Sequence, residues 1–201
     1  MQKTRLLRVL YDGFAKLEEW FVGGPHPHLV LRSTDSVAIL LHDTVNHRIL
    51  LVKQSRVAMI RKDNPDGLIT EAVAGRFDVS LSPVELAVKE AFEEARAIIQ
   101  ESQVALLNYG EPVALSAGIS TERSWLAYAA ISPHQLTGND TDVFGVPEEG
   151  EQIKRVWVSE ETFLADDYVC EDVRVYAFRQ HIKIMRLEQK FKDLGEAIFG
   201  R

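Results

Sequence analysis

Glu90, Glu93 and Glu94 place three carboxylates within five residues of the stretch "PVELAVKEAFEEARA". On a helix they fall at i, i+3 and i+4, on one side and facing one another. Like charges so placed repel, by roughly a few tenths of a kcal/mol per pair in an isolated helix, and only Lys89 and Arg96 lie close enough to offset them. A hard divalent cation removes the repulsion directly, because Mg²⁺ takes oxygen ligands and is commonly shared between a few carboxylates and substrate phosphates. A solvated acidic face is the plainer reading, and spacing alone favours it.

The element that carries these residues has a legible start. Ser82 can cap the first free amides, Pro83 suits the first helical position and Glu85 completes a capping box. From there the periodicity predicts a buried side made of Val84, Val88, Ala91, Phe92, Ala95 and Ile98. Around this helix the chain reads as mixed α/β. "SVAILLHD" (Ser36 to Asp43) and "HRILLVKQSR" (His47 to Arg56) predict two antiparallel strands joined by a tight turn. "RKDNPDG" is a turn cluster before "LITEAVAG", an apolar strand ending in glycine. "SWLAYAAI" and "IKRVWVS" are further strands, separated by a long polar loop. Apolar spacing through Val175, Phe178, Ile182, Met185 and Phe191 predicts one long or two shorter closing helices from Asp172 to about Phe199. "LYDGFAKLEEWFV" near the N-terminus fits a helical spacing that Gly13 weakens.

Composition narrows the function classes. At 201 residues and 46% hydrophobic, the chain supports one substantial core or one domain with a small appendage. A net charge of -7 with no Lys/Arg-rich run lacks the footprint of a nucleic-acid binder. The single cysteine, Cys170, cannot form an internal disulfide, and no Cys/His spacing offers a structural zinc site, as expected of a reducing cytoplasm. The N-terminal residues lack the apolar core of a signal peptide, and no segment has the apolar length of a membrane span. Ser116 and Ser120 lack the strand-to-helix G-x-S-x-G elbow of a serine nucleophile.

Read together, several motifs resemble the Nudix hydrolases, whose signature is G-x5-E-x7-R-E-U-x-E-E-x-G-U. Gly75, Glu90, Glu93 and Glu94 stand at the positions of the first glycine, the R-E glutamate and the E-E pair, without a gap. The surrounding matches point to the branch that cleaves nucleoside diphosphate sugars such as ADP-ribose, GDP-mannose and UDP-glucose. "EAVAG" (Glu71 to Gly75) is similar to its E-x-x-A-G lead-in, "SAGISTER" to its S-P-G-x-S-T-E-R loop, "EEGEQIKRVWV" to its E-E-x-E-x-I segment and "VKQSR" to its V-x-Q-x-R strand end. The matches cover most of residues 36–158 in the right order.

This resemblance implies a pyrophosphatase in which water attacks a phosphorus of the diphosphate bridge, aided by Mg²⁺ or Mn²⁺. Metals between carboxylates and phosphate oxygens neutralise the charge that repels a nucleophile and orient water for in-line attack. By the same resemblance Glu90 and Glu94 are the main metal ligands, Glu93 a ligand or water-bridged contact, and the carbonyl of Ala74 a further contact. Glu149 and Glu151 both match the late-loop glutamate that acts as base or ligand, and the sequence does not choose between them. Arg56 and Arg123 are expected to hold phosphates, a task suited to the guanidinium fork, with Glu71 also on the substrate side. The implied architecture is an α/β/α sandwich around a mixed sheet, with residues 1–35 an N-terminal strand extension, residues 36–201 the Nudix domain, and homodimers formed through the extension.

Three departures from the signature stand out. Its first glutamate is Leu81, its arginine is Lys89 and its second glycine is Arg96. In the family the first two bind each other, so their joint loss is consistent with an altered loop, for which Asp78 is a partial substitute. Arg96 disfavours the left-handed cap that glycine permits, which predicts that the helix runs on through Ala97, Ile98 and Ile99. Two function classes follow: a metal-dependent nucleotide-sugar pyrophosphatase, or a catalytically weak Nudix-like nucleotide-binding regulatory or scaffold protein.

Overall fold

The computed structural model describes residues 4–78, 80–146 and 150–199. Two sheets are present. Strands β1 (Arg5–Asp12), β2 (Lys16–Phe21) and β3 (His28–Arg32) form an antiparallel three-stranded sheet. The ambiguous N-terminal segment is thus a hairpin, with Gly13 in its turn. Residues 1–3 of the expected extension lie outside the described residues.

The second sheet carries the core. Its strands are β4 (Ser36–Asp43), β5 (Arg48–Ser55), β6 (Leu68–Glu71), β7 (Val73–Arg76), β8 (Ala105–Leu106), β9 (Val113–Ala114), β10 (Arg123–Ile131) and β11 (Lys154–Ser159). The main order is β11-β5-β4-β10-β8, parallel only between β4 and β10. β4 and β5 pair only beside their turn, over Leu41–Asp43 and Arg48–Leu50. Beyond that point β6 takes the edge of β5 and β7 takes the edge of β4. The expected single strand "LITEAVAG" is therefore two strands, broken at Ala72 and filling the fork between β4 and β5. That fork fixes Glu71 and Ala74.

Alternation along β4 and β5 divides the core into two layers. Val37, Ile39, Leu41, Leu50 and Val52 pack on one face against helix α1 (Pro83–Ala95). Ala38, Leu40, Ile49 and Leu51 pack on the other, against α2 (Glu160–Leu164) and α3 (Val173–Phe199). The result is a helix–sheet–helix sandwich around a mixed sheet. α3 is one continuous helix, with Val175, Phe178 and Ile182 buried and Phe191 exposed. Trp125 and Trp157 pack against the α1-side core. Among the described residues, no helix is long and apolar enough to cross a membrane.

Helix α1 starts as its sequence dictates: the Ser82 Oγ accepts from the Glu85 amide, and the Glu85 carboxylate accepts from the Ser82 amide. Its end and its face both differ from the sequence expectation. Arg96 adopts the left-handed conformation, φ 48° and ψ 33°, and caps the helix after Ala95. The backbone there closes onto the Ala91 and Phe92 carbonyls, and the buried Arg155 donates to the Ala95 carbonyl at 2.8 Å. These contacts outweigh the cost of a left-handed arginine, roughly 1–2 kcal/mol. The buried face is Leu86, Ala87, Glu90, Ala91, Glu94 and Ala95, while Phe92 and Ile98 are exposed. Small alanines let α1 approach the sheet closely enough to bury Glu90 and Glu94 with them.

Candidate active site

Helix α1 lies close against the sheet at Gly75 in β7. A β-carbon at this position would lie 2.0 Å from Glu90 Oε1, so only glycine leaves room for that carboxylate. One turn on, Glu94 is 2% exposed, and its Oε2 accepts a hydrogen bond of 3.0 Å from the Ala74 amide. β7 thus receives both carboxylates on adjacent residues. Glu93 lies on the outer side of the pair, where the Lys89 ammonium bonds it at 2.6 Å and reaches Glu90 at 3.4 Å.

The electrostatics of this rung are unfavourable as they stand. Burial pushes the Glu90 carboxyl up to about 7, with Lys89 opposing the shift and Glu93 and Glu151 adding to it. Glu94 is raised well above the carboxylate range by burial; the Ala74 amide opposes this, while Glu90, Glu71 and Glu151 reinforce it. Burial lowers Lys89, but its contacts with Glu93 and Glu90 outweigh that and hold it above the ordinary lysine range. One ammonium therefore serves an acidic cluster that needs more positive charge.

These side chains line a cavity of about 590 Å³ at the fork. Arg56 and Glu71 lie across from α1: Glu71 is 3% exposed and takes Arg56 Nε at 2.8 Å and Arg56 Nη2 at 2.7 Å on Oε1. Arg174, from the start of α3, reaches the other oxygen of Glu71 at 3.3 Å and is itself held by Asp172 at 2.8 Å. The Glu151 Oε2 accepts from the Val146 amide at 2.9 Å, and Glu151 too lines the cavity.

Of the residues expected from sequence, Arg56, Glu71, Ala74, Glu90, Glu93 and Glu151 line this one cavity, and Glu94 lies behind them on the Ala74 amide. Glu149 lies outside the described residues. Arg123 is placed elsewhere: it pairs with Asp35 at 2.7 Å and is not among the cavity-lining residues. Leu81 packs against the core, so the position of the missing signature glutamate has become apolar, and the Lys89 ion pairs run to Glu90 and Glu93 while Asp78 lines the cavity. Arg76, Arg174, Glu122 and Phe14 were not anticipated in the site. Nothing local marks Arg174, which meets Glu71 across 103 residues of sequence.

Residues 32–177 match the NUDIX domain. The chain belongs to the Nudix family. It is also 26% identical over 159 residues to a GDP-mannose pyrophosphatase of Cronobacter sakazakii (strain ATCC BAA-894), an alignment covering 79% of this chain and 78% of that protein. As a Nudix pyrophosphatase, the protein hydrolyses a phosphoric anhydride. The donor chemistry of its cavity fits a hard divalent cation: carboxylates in excess of the cations that face them, on a rigid helix against a strand. Among the described residues no three Asp, Glu, His or Cys side chains stand at metal-ligand spacing; the Lys89 ammonium pairs with Glu90 and Glu93.

Proposed function

We propose that this Nudix hydrolase is a cytoplasmic, Mg²⁺- or Mn²⁺-dependent pyrophosphatase of nucleoside diphosphate sugars, giving a nucleoside monophosphate and a sugar phosphate. The observation that carries the reading is the burial of Glu90 and Glu94 side by side against β7, with Glu90 lining a cavity of about 590 Å³ that Arg56 also lines. Divalent cations held by Glu90, Glu94, Glu93 and the Ala74 carbonyl would screen the phosphate oxygens and lower the pKa of a bound water. Arg56 presents a planar guanidinium to the phosphates, kept in orientation by Glu71, which Arg174 anchors from behind. Arg76 and Lys89 add positive charge along the same wall.

Glu151 is the residue we assign as base. Its Oε2 is fixed on the Val146 amide, and its charge acts on both Glu90 and Glu94. Water forms the new P–O bond, its proton passes to Glu151, and the bridging P–O bond breaks with the second phosphate leaving as part of the other product. The relative whose printed name is GDP-mannose pyrophosphatase supports a guanine nucleotide sugar as the first substrate to test. We also propose a homodimer through the N-terminal sheet, because β1 is exposed along its whole length and carries Leu6, Leu7, Val9 and Leu10, each more than 40% exposed. No nucleic-acid partner is expected from the acidic surface.

The test is hydrolysis of ADP-ribose, GDP-mannose and UDP-glucose with Mg²⁺, read as phosphate released after phosphatase treatment. Turnover of one or more that disappears on chelation and in Glu94→Gln is the expected result. Tight nucleotide binding without turnover would replace the enzyme reading by a binding protein.

A further inference from the structure

Helix α1 ends after Ala95, so the carbonyls of its last turn lack partners within the helix. Three carbonyls at this end accept from elsewhere in the chain. Gly145 donates its amide to the Glu93 carbonyl at 3.1 Å, Arg155 donates Nε to the Ala95 carbonyl at 2.8 Å, and Thr137 donates its amide to the Arg96 carbonyl at 3.0 Å. Gly145 and Thr137 belong to the segment that runs from β10 toward β11, and Arg155 to β11 itself.

Arg155 fastens that segment. Its buried guanidinium also donates to the Thr137 carbonyl and, at 3.3 Å, to Asp140 Oδ1, and it lies 4.4 Å from the centre of the Phe144 ring. Trp157 donates its indole N–H to the other Asp140 oxygen at 2.9 Å. Phe144 and Ile153 exchange both backbone hydrogen bonds, at 2.8 and 3.0 Å. A buried guanidinium with a partner on each nitrogen makes a stiff joint, because its planar fork fixes directions as well as distances.

Two consecutive amides carry this fixed point to the chemistry. Gly145 directs its N–H to the backbone of Glu93, a member of the rung, and Val146, the next residue, donates to Glu151 Oε2 at 2.9 Å. Gly145 has φ 102°, and a β-carbon on it would lie 2.7 Å from Glu151 Cβ and 2.9 Å from Glu151 Oε2. Glycine alone allows both that conformation and that approach. The carboxylate assigned as base is thus tied to the backbone of α1 through Gly145 and Val146.

We propose that Gly145 is a positioning residue for the reaction: it holds Glu151 in place relative to the α1 rung, with Arg155 and Asp140 steadying the segment behind it. This rests on the assignment of Glu151 as base above. A misplacement of about 1 Å costs on the order of a hundredfold in rate, so a strap anchored on the helix of Glu90 and Glu94 keeps the base in register with the carboxylates it works beside.

The experiment is a double-mutant cycle on GDP-mannose hydrolysis with saturating Mg²⁺. Gly145→Ala lowers kcat by about a hundredfold with KM unchanged. In the Glu151→Gln background, itself slowed on the order of 10²- to 10⁴-fold, Gly145→Ala causes no further loss, a result that a general weakening of the fold would not produce. Asp140→Ala, at an exposed position where folding is secure, follows the same pattern with a smaller factor. An equal loss in both backgrounds, or an undiminished kcat in Gly145→Ala, overturns the proposal while leaving the base assignment standing. Full activity of Glu151→Gln removes the base assignment, and the role of Gly145 falls with it. Should the wild type hydrolyse no GDP-mannose, the substrate reading fails by itself, and amide hydrogen exchange decides the strap: Gly145→Ala and Glu151→Ala each speed exchange at the Val146 amide, and unchanged exchange in both overturns it.

Discussion

Two buried carboxylate groups lie on opposite faces of the same sheet and have opposite electrostatics. On the α2/α3 face, Glu160 is 5% exposed and is met by Arg186 through both oxygens, by His42 Nε2 at 3.2 Å and, through His42, by the Tyr128 hydroxyl at 3.0 Å. The Arg186 guanidinium holds its carboxyl below the ordinary range despite burial. On the α1 face, Glu90 and Glu94 are buried to a similar degree beside further carboxylates, and both are raised. Burial is common to the two; the supply of cations is not. A glutamate provided with arginine and histidine holds the fold together, whereas the α1 pair is left short of positive charge, which is what the proposed cation site requires.

The largest expected effect comes from removing that pair's charge. Glu94→Gln abolishes metal-dependent hydrolysis, with loss of several kcal/mol of transition-state stabilisation, on the order of a thousandfold in rate, while raising the Tm of the metal-free protein because a buried repulsive charge is gone. Glu160→Gln does the reverse: it strands Arg186 and His42, costs roughly 1–3 kcal/mol of stability in denaturant melts, and leaves hydrolysis per folded molecule unchanged.

The pH dependence separates the same two regions. Glu160 is depressed in the folded state, and burial depresses His42 below its ordinary 6.5. Their stabilisation is present above the unfolded values and is lost as pH falls, for His42 from about 6.5 downward and for Glu160 from about 4.5. Glu90 and Glu94 are raised, so their contribution is present at low pH and is lost as pH rises, for Glu90 between about 4.5 and about 7. In urea titrations of the metal-free protein, the stability of Glu90→Gln relative to the wild type should rise from pH 5 toward pH 7 as the rung's contribution is lost, and saturating Mg²⁺ should remove that rise.

Smaller effects refine the comparison. Lys89→Ala takes away the internal counter-ion of Glu90 and Glu93, and should tighten Mg²⁺ by a few-fold, in keeping with a half-exposed ion pair worth roughly 0.2–1 kcal/mol. Arg96→Gly relieves a left-handed residue and should stabilise the fold by about 1 kcal/mol without moving metal affinity, since the rung it terminates stays in register.

Much of this was legible in the sequence. Aliphatic runs located β4, β5, β10 and β11, Ser82-Pro83-Val84-Glu85 located the start of α1, and the spacing of Gly75, Glu90, Glu93 and Glu94 located the rung. The buried face of α1 was misread because hydrophobic periodicity assigns glutamates outward and Phe92 and Ile98 inward; the true face depends on Ala87, Ala91 and Ala95 being small and on Gly75 opposite, a relation between two elements. Arg96 was misread because local propensity disfavours its conformation, and the Arg155 contact that supports this helix end comes from 60 residues away. The partners of Glu71 and Arg123 were hidden for the same reason: Arg174 and Asp35 are distant in sequence and are brought in by the α3 start and the edge of β4.

The central claim is that Glu90 and Glu94 take up divalent cations for the reaction. Calorimetric titration of Mn²⁺ into the wild-type protein and into Glu94→Gln, each with and without GDP, tests it most directly. Binding to the wild type, strengthened by the nucleotide and lost in the variant, is the predicted result; no Mn²⁺ uptake by the wild type under either condition would contradict it.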